Sequence, residues 1–310
     1  MRGLNITAMG AAALAAVLVI TASVSSASPV PVPFMKDVHT WVVTSKTSHR
    51  AYQIWVALPE GYTKRHAPYP VLFAADANVE FGTVVEAARL LAFDKRIPDL
   101  IVVGIGYPRP GQGFKASFAE RALDFTPSAG EAQLKAVRDF ADARGLPTPT
   151  AIGGASSFLG FLRGELVPDI EKKYNASHTD RTWFGHSFGG LFGLYALFHD
   201  DGLFQRLLIG SPLLNWDDGA IFGVEAHFAK THSSLPARLY FAVGSEEETP
   251  GNHAVSDLQR LSSQMIARNY QQFTLETEVF RGDGHGSVIP LAVGHGLRAL
   301  YPQADEANAH

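Results

Sequence analysis

The segment Gly185-His186-Ser187-Phe188-Gly189 sets a serine between two glycines at Gly-x-Ser-x-Gly spacing. A short apolar segment precedes it, and an apolar-periodic one, Leu191 to Phe198, follows. That is the pattern of a nucleophile elbow, a sharp strand-to-helix turn that lifts a hydroxyl above the edge of a parallel sheet. The turn is strained and its neighbours approach closely, which glycine permits because it has no Cβ. The helix that starts there aims free N–H groups and its positive dipole end at the serine oxygen. The competing reading is a Gly-rich turn whose serine merely caps the helix.

A serine hydroxyl is a weak nucleophile until an imidazole, itself oriented by a carboxylate, takes its proton. In sheets of this kind the chain order is Ser, acid, His, with the last two on loops after later strands. Of the twelve histidines, His285 and His295 fit that order. His285 stands in Arg281-Gly282-Asp283-Gly284-His285-Gly286-Ser287, directly after the last expected strand, and is read as the base. His295 falls in the closing helix pattern. His186 points the wrong way along the elbow and reads as packing or pocket wall. The acid is expected after the strand ending at Val243, where Glu246, Glu247 and Glu248 are adjacent. Glu247 is the choice, with Glu248 and Glu246 as alternatives; such a run is otherwise a solvated loop. Asp217 and Asp218 offer a second route. An oxyanion hole needs two main-chain donors: Phe188, next to the serine, and Asn78 or Ala77 after the Tyr69–Ala75 run.

These groups need a frame. Tyr69 to Ala75 and Leu100 to Ile105 are continuous apolar runs, as in strands covered on both faces. His39 to Val43 and Tyr52 to Leu58 alternate and read as an antiparallel opening pair. Strands also fit the elbow strand, Arg206 to Ser211, Arg238 to Val243 and Phe273 to Phe280. Helices fit Thr83 to Phe93, Phe158 to Tyr174, Ile221 to His232, Ala254 to Arg268 and Val288 to Leu300. The alternation predicts an α/β fold: a mostly parallel sheet of about eight strands with helices on both faces. Residues 107–154, rich in Pro and Gly around one helix at Glu131 to Ala143, read as an excursion over the substrate side; the competing reading is an interdomain linker.

The chain has 310 residues, 46% hydrophobic and 18% charged, which suits one large globular domain. Its start has another character: Arg2, an apolar run from Ala11 to Ile20, then Ser25-Ser26-Ala27. This is the pattern of a secretory signal peptide over 1–27, with the catalytic domain over 28–310 and a secreted or periplasmic location. A retained N-terminal anchor is the competing reading; after cleavage no stable membrane insertion is expected. The formal charge is −4, and without Arg2 it is −5, with no dense Lys/Arg stripe. Nucleic acid is therefore not an expected partner. Cysteine is absent, so disulfides are excluded. No histidine–carboxylate cluster shows metal-ligand spacing, and neither metal nor cofactor is expected.

With these residues placed, the chain resembles the α/β-hydrolase esterases of the putative-esterase group, the enterobactin-type siderophore trilactone esterases among them. The likeness rests on Tyr69-Pro70-Val71-Leu72-Phe73 running into Asp76, Arg121-Ala122-Leu123-Asp124-Phe125-Thr126-Pro127 and Phe161-Leu162-Arg163-Gly164-Glu165-Leu166-Val167-Pro168. It continues through Gly185 to Leu191, Ser211-Pro212 with Trp216 and Asp217, and Gly284-His285-Gly286-Ser287. The resemblance implies a serine esterase acting on a small-molecule ester through Ser187, His285 and Glu247. It puts Asn78 in the place of the second oxyanion donor and makes Trp216 pocket wall. Where the group often has Asp-Gly, this chain has Asp76-Ala77. Lys95, Arg96, Arg109, Lys115 and Arg121 are the cations available to an anionic substrate, with Arg121 taken as a pocket residue. An acyltransferase of the same fold and a non-catalytic ligand-binding relative are the alternatives.

Overall fold

Two of the apolar runs become central strands because helices cover them above and below. In the computed structural model, which describes residues 35–302 except 65–66, 110–113 and 200–201, they are β3 (Tyr69–Ala74) and β4 (Ile101–Gly106). The proposed leader, 1–27, lies outside the described residues. Strand neighbours alternate between faces. Val71 and Phe73 join one apolar cluster, and Leu72 and Ala74 join the other.

One sheet of eight strands carries the fold. β1 (Val38–Thr44) and β2 (Ala51–Ala57) are antiparallel, and β2 is antiparallel to β4. All later neighbours are parallel: β4, β3, β5 (Ala176–His186), β6 (Arg206–Gly210), β7 (Ser234–Gly244) and β10 (Gln271–Phe280). Helices α1 (Ala77–Phe93) and α9 (Val288–Leu300) cover one face. The other face is covered by α2 (Phe118–Asp124), α4 (Ala155–Phe161), α5 (Val167–Lys173), α6 (Phe188–His199), α7 (Ala220–Phe228) and α8 (Ala254–Arg268). A short hairpin, β8 (Glu248–Thr249) with β9 (Asn252–His253), is too brief to show as a periodic pattern.

The strand order places a switch point beside β3. The chain leaves β3 for β4 on one side, then returns to β5 on the other. The loops after β3 and β5 therefore diverge and leave a crevice at the carboxyl ends, where open α/β sheets bind ligands. Both Asp76 and Ser187 sit there.

Two helices differ from expectation. The first starts at Ala77 rather than Thr83, because Asp76 takes a left-handed φ of 51° and turns the chain straight from strand into helix. The expected Phe158–Tyr174 helix is interrupted by a π-helical turn at Leu162–Leu166. Pro168 follows within that run and has no N–H to give to the preceding turn, so the hydrogen-bond ladder slips there.

The described part of residues 107–154 is packed against the rest of the sheet's cover. It contains α2 and α3 (Glu131–Ala143), and Phe118, Ala122 and Phe125 are buried. Phe125 meets Phe158 edge-on at 5.3 Å, and the amide of Gly154 donates to the Leu123 carbonyl at 2.8 Å.

Candidate active site

The elbow forms as its sequence requires. Ser187 has a φ of 58°, and its amide donates to the Gly210 carbonyl on neighbouring β6 at 2.9 Å. A Cβ at Gly185 would overlap the main chain of Gly189, because the start of α6 crosses directly over the end of β5. Trp183, fully buried, gives its indole N–H to the Gly189 carbonyl at 3.1 Å and packs on Phe192 at 5.0 Å. An aromatic core thus fixes the turn that presents the hydroxyl.

The β3–α1 junction lies against this turn. A Cβ at Gly189 would stand 3.1 Å from Ala75 Cβ and 3.5 Å from Asp76 Oδ2. Ala77 and Asn78 are the first residues of α1, and Phe188 is the first of α6, so helix geometry provides none of their amides with an intrahelical acceptor. The Asn78 side chain is engaged elsewhere. Its Nδ2 donates to the Tyr107 carbonyl at 2.9 Å, and its Oδ1 accepts the Tyr107 amide at 2.8 Å. Gly106 makes this clamp possible, since any Cβ there would collide with Oδ1.

The three glutamates separate cleanly. Glu247, 6% exposed, places Oε2 at 2.5 Å from His285 Nδ1, and its Oε1 accepts from Ser211 Oγ at 2.6 Å and the Gly244 amide at 2.9 Å. Burial pushes this carboxyl up, but the hydrogen bonds from His285, Ser211 and Gly244 outweigh it and hold the group below the ordinary value. Glu248 instead caps α8, accepting the Val255 amide at 2.9 Å and the Ser256 amide at 3.0 Å. Those donors, the Ser256 amide first, pull it down to about 2. Glu246 lines the cavity beside the site. Glu247→Gln is expected to lower kcat by roughly 10²–10⁴, and Glu248→Gln to stay within about threefold of wild type, in steady-state assays. The reverse ranking would move the acid by one residue.

A cavity of about 1220 Å³ opens above these groups and is lined by Ser187, Phe188, Glu247 and His285. One wall is a single face of α3: Gln133, Ala136, Val137 and Phe140 recur at helical spacing. Trp216 forms another part, edge-on to Phe188 at 5.8 Å. Its indole N–H donates to Ser128 Oγ at 3.0 Å. Asp217 accepts from Ser128 Oγ and from Gln133 Nε2, each at 2.7 Å, so it ties α3 to the loop after β6 and does not approach His285 as the acid would.

One pocket residue needs correction, and a second lines the cavity with its charge already paired. His186 does not line the cavity. It is 4% exposed and sits behind the wall, its ring centroid 4.4 Å from that of His285. Among the described residues neither ring nitrogen has a hydrogen-bond partner. Burial, then the charges of His285 and Arg121, push it well below the ordinary imidazole value, and the nearby His285 main chain opposes this. A neutral His186 adds no second positive charge beside His285. Arg121 reaches the cavity, but its guanidinium is engaged: Nε meets Asp76 Oδ1 at 2.7 Å and Nη2 meets Oδ2 at 2.8 Å. Of the other sequence candidates, Lys115 lines the cavity, Arg109 pairs with Glu120, and Lys95 and Arg96 lie by Tyr301, away from the site. Sequence reading missed Arg144, which lines the cavity with its guanidinium 3.8 Å from the centre of the Phe140 ring. Its only sequence signal is its position at the end of the amphipathic α3. Among the described residues no group of three or more His, Asp or Glu could hold a metal ion.

Comparison with known proteins gives a consistent picture. A family model described as "Putative esterase" matches residues 110–286. The chain is 31% identical over 270 residues to the ferri-bacillibactin esterase BesA of Bacillus subtilis, covering 84% of this chain and 89% of that protein. It is 27% identical to the siderophore enterobactin esterase of Emericella nidulans, covering 88% of this chain and 96% of that one. The solved structure of the BES protein from Bacillus cereus superposes with a TM-score of 0.75 at 29% identity, covering 89% of this chain and all of that one.

Proposed function

Because the chain belongs to the putative-esterase family, a group of carboxylic-ester hydrolases, we propose that it cleaves the ester bonds of a siderophore by an acyl-enzyme route. In this reading Ser187 Oγ attacks the ester carbonyl. His285 takes the hydroxyl proton through Nε2 and returns it to the leaving alcohol. Glu247 holds Nδ1–H and stabilises the imidazolium, and water then releases the acid. The amides of Phe188 and Asn78, at two adjacent helix N-termini, hold the oxyanion. The carrying observation is the 2.5 Å contact between His285 Nδ1 and buried Glu247, in the same cavity wall as the left-handed Ser187.

The cavity supports a bulky substrate. At about 1220 Å³ it exceeds the ~300–1,000 Å³ of ordinary small-molecule sites. Lys115 and Arg144 supply positive charge, while Asp217, Asp218 and Glu246 supply negative charge in the same lining. A screen of ferric and metal-free trilactone siderophores against short p-nitrophenyl esters tests the proposal. The siderophores are expected to give the higher kcat/KM, and preference for the short esters would overturn it. Transfer to excess alcohol outrunning hydrolysis would indicate an acyltransferase instead.

Activity is expected to rise with pH, because only neutral imidazole accepts the Ser187 proton. A flat kcat/KM profile between about pH 5 and 8 would count against His285 as the base. Export is supported by the leader pattern; N-terminal sequencing of the mature protein should begin at Ser28, and an intact Met1 would refute cleavage.

A further inference from the structure

The end of β6 touches both the nucleophile and the acid. The Gly210 carbonyl accepts the Ser187 amide at 2.9 Å, and the next residue, Ser211, gives its hydroxyl to Glu247 Oε1 at 2.6 Å. Ser211 is 4% exposed. It holds a left-handed φ of 38°, unfavourable for any residue with a Cβ, and its own amide donates to the Ala242 carbonyl at 2.7 Å. Strain of this kind persists only where the surroundings fix it, and here it aims one hydroxyl at one carboxylate oxygen.

We propose that Ser211 is a positioning residue for ester cleavage, acting through Glu247. The inference rests on the Ser187–His285–Glu247 reading. With two donors on Oε1, the carboxylate cannot turn about its terminal torsion, and Oε2 stays on His285 Nδ1. Without the hydroxyl, of the described donors only the Gly244 amide holds Oε1. The carboxylate then rotates more freely and, carrying fewer donors, binds a proton more tightly. The titratable groups around it are His285 and, behind that ring, His186. Glu246 and Asp283 flank the same loop, joined where the Glu246 amide donates to the Asp283 carbonyl at 2.9 Å.

The test compares Ser211→Ala with Ser211→Gly. Both remove the hydroxyl; only glycine also relieves the left-handed backbone. On p-nitrophenyl butyrate both variants are expected to lose about tenfold in kcat/KM at neutral pH, the scale of one hydrogen bond to a charged group. The acidic limb of the kcat/KM profile should move up in both, since the carboxylate, with one donor fewer, holds a proton more tightly. Thermal melts establish that the compared proteins are folded; if the alanine variant does not fold, the glycine variant decides alone. Wild-type pH profiles in the folded variants would overturn the proposal. So would a wild-type glycine variant beside an impaired alanine one, because the effect would then belong to the backbone. Ser187→Ala run in parallel separates the two levels: substantial turnover there sinks the triad itself. A null Ser211 result in an enzyme that needs Ser187 sinks only the role of Ser211.

Discussion

Ser187→Ala is expected to lower kcat by a factor on the order of 10⁴–10⁶ while leaving KM for a short ester within about threefold. The size follows from how the groups act together. In the proposed mechanism Glu247 and His285 have no proton to move without the hydroxyl, so removing the serine would disable all three at once. The remaining rate would come from the oxyanion donors and binding alone. His285→Ala should fall in the same range, and the double variant should be little worse than either single one, because members of a unit are not additive. Pre-steady-state kinetics with a p-nitrophenyl ester provide the check, with loss of the acyl-enzyme burst in both variants. A Ser187→Ala enzyme within about a hundredfold of wild type would move the nucleophile elsewhere, whatever the geometry of the elbow.

Arg121→Ala is expected to damage stability more than substrate affinity. Its guanidinium, 2% exposed as a residue, meets both oxygens of Asp76, itself 4% exposed. A second carboxyl, Glu80, is buried nearby, and its Oε2 has no hydrogen-bond partner among the described residues. Burial first, then the negative charge of Asp76, pushes Glu80 well above the ordinary carboxyl value; Arg121 opposes this. Removing the arginine leaves Asp76 as an unpaired buried charge, a loss of about 3–5 kcal/mol. Asp76 is also the left-handed residue between β3 and α1, so the junction that carries the Asn78 amide should loosen, and kcat should drop in the protein that still folds. Urea denaturation measures the first effect. If Arg121→Ala unfolded at the wild-type midpoint and only KM for an anionic ester rose, the side chain would be a substrate cation rather than a strut.

That difference for Arg121 shows where sequence reading stops. Its place in a family motif marks it as a residue of consequence, but arginine serves equally well as an anion receptor or as a buried counter-charge. Only the partner distinguishes the two. Asp76 lies 45 positions away in the chain, and nothing in the local pattern of either residue announces the pairing. The glutamate run is a similar case. Three adjacent carboxylates are chemically alike, and their roles diverge because a short helical turn at Ser245–Glu247 directs one side chain inward. The next glutamate falls on the hairpin before α8 and caps that helix.

The fold itself was legible because its causes are local and repeated. Strands covered on both faces must be apolar throughout, the covering helices must repeat at helical spacing, and a strained Gly-x-Ser-x-Gly turn admits few settings; the eight strands, the elbow and His285 after the last strand follow from these. The π-turn at Leu162–Leu166 and the early start of α1 depend on backbone hydrogen-bond competition at one proline and one aspartate, which periodicity averages away. Tertiary structure alone decided what meets across the strand ends: Ser211 on Glu247, Arg121 on Asp76, and His186 behind His285. These contacts join residues from separate loops, and their geometry is set by sheet order and twist rather than by any property of the segments that supply them.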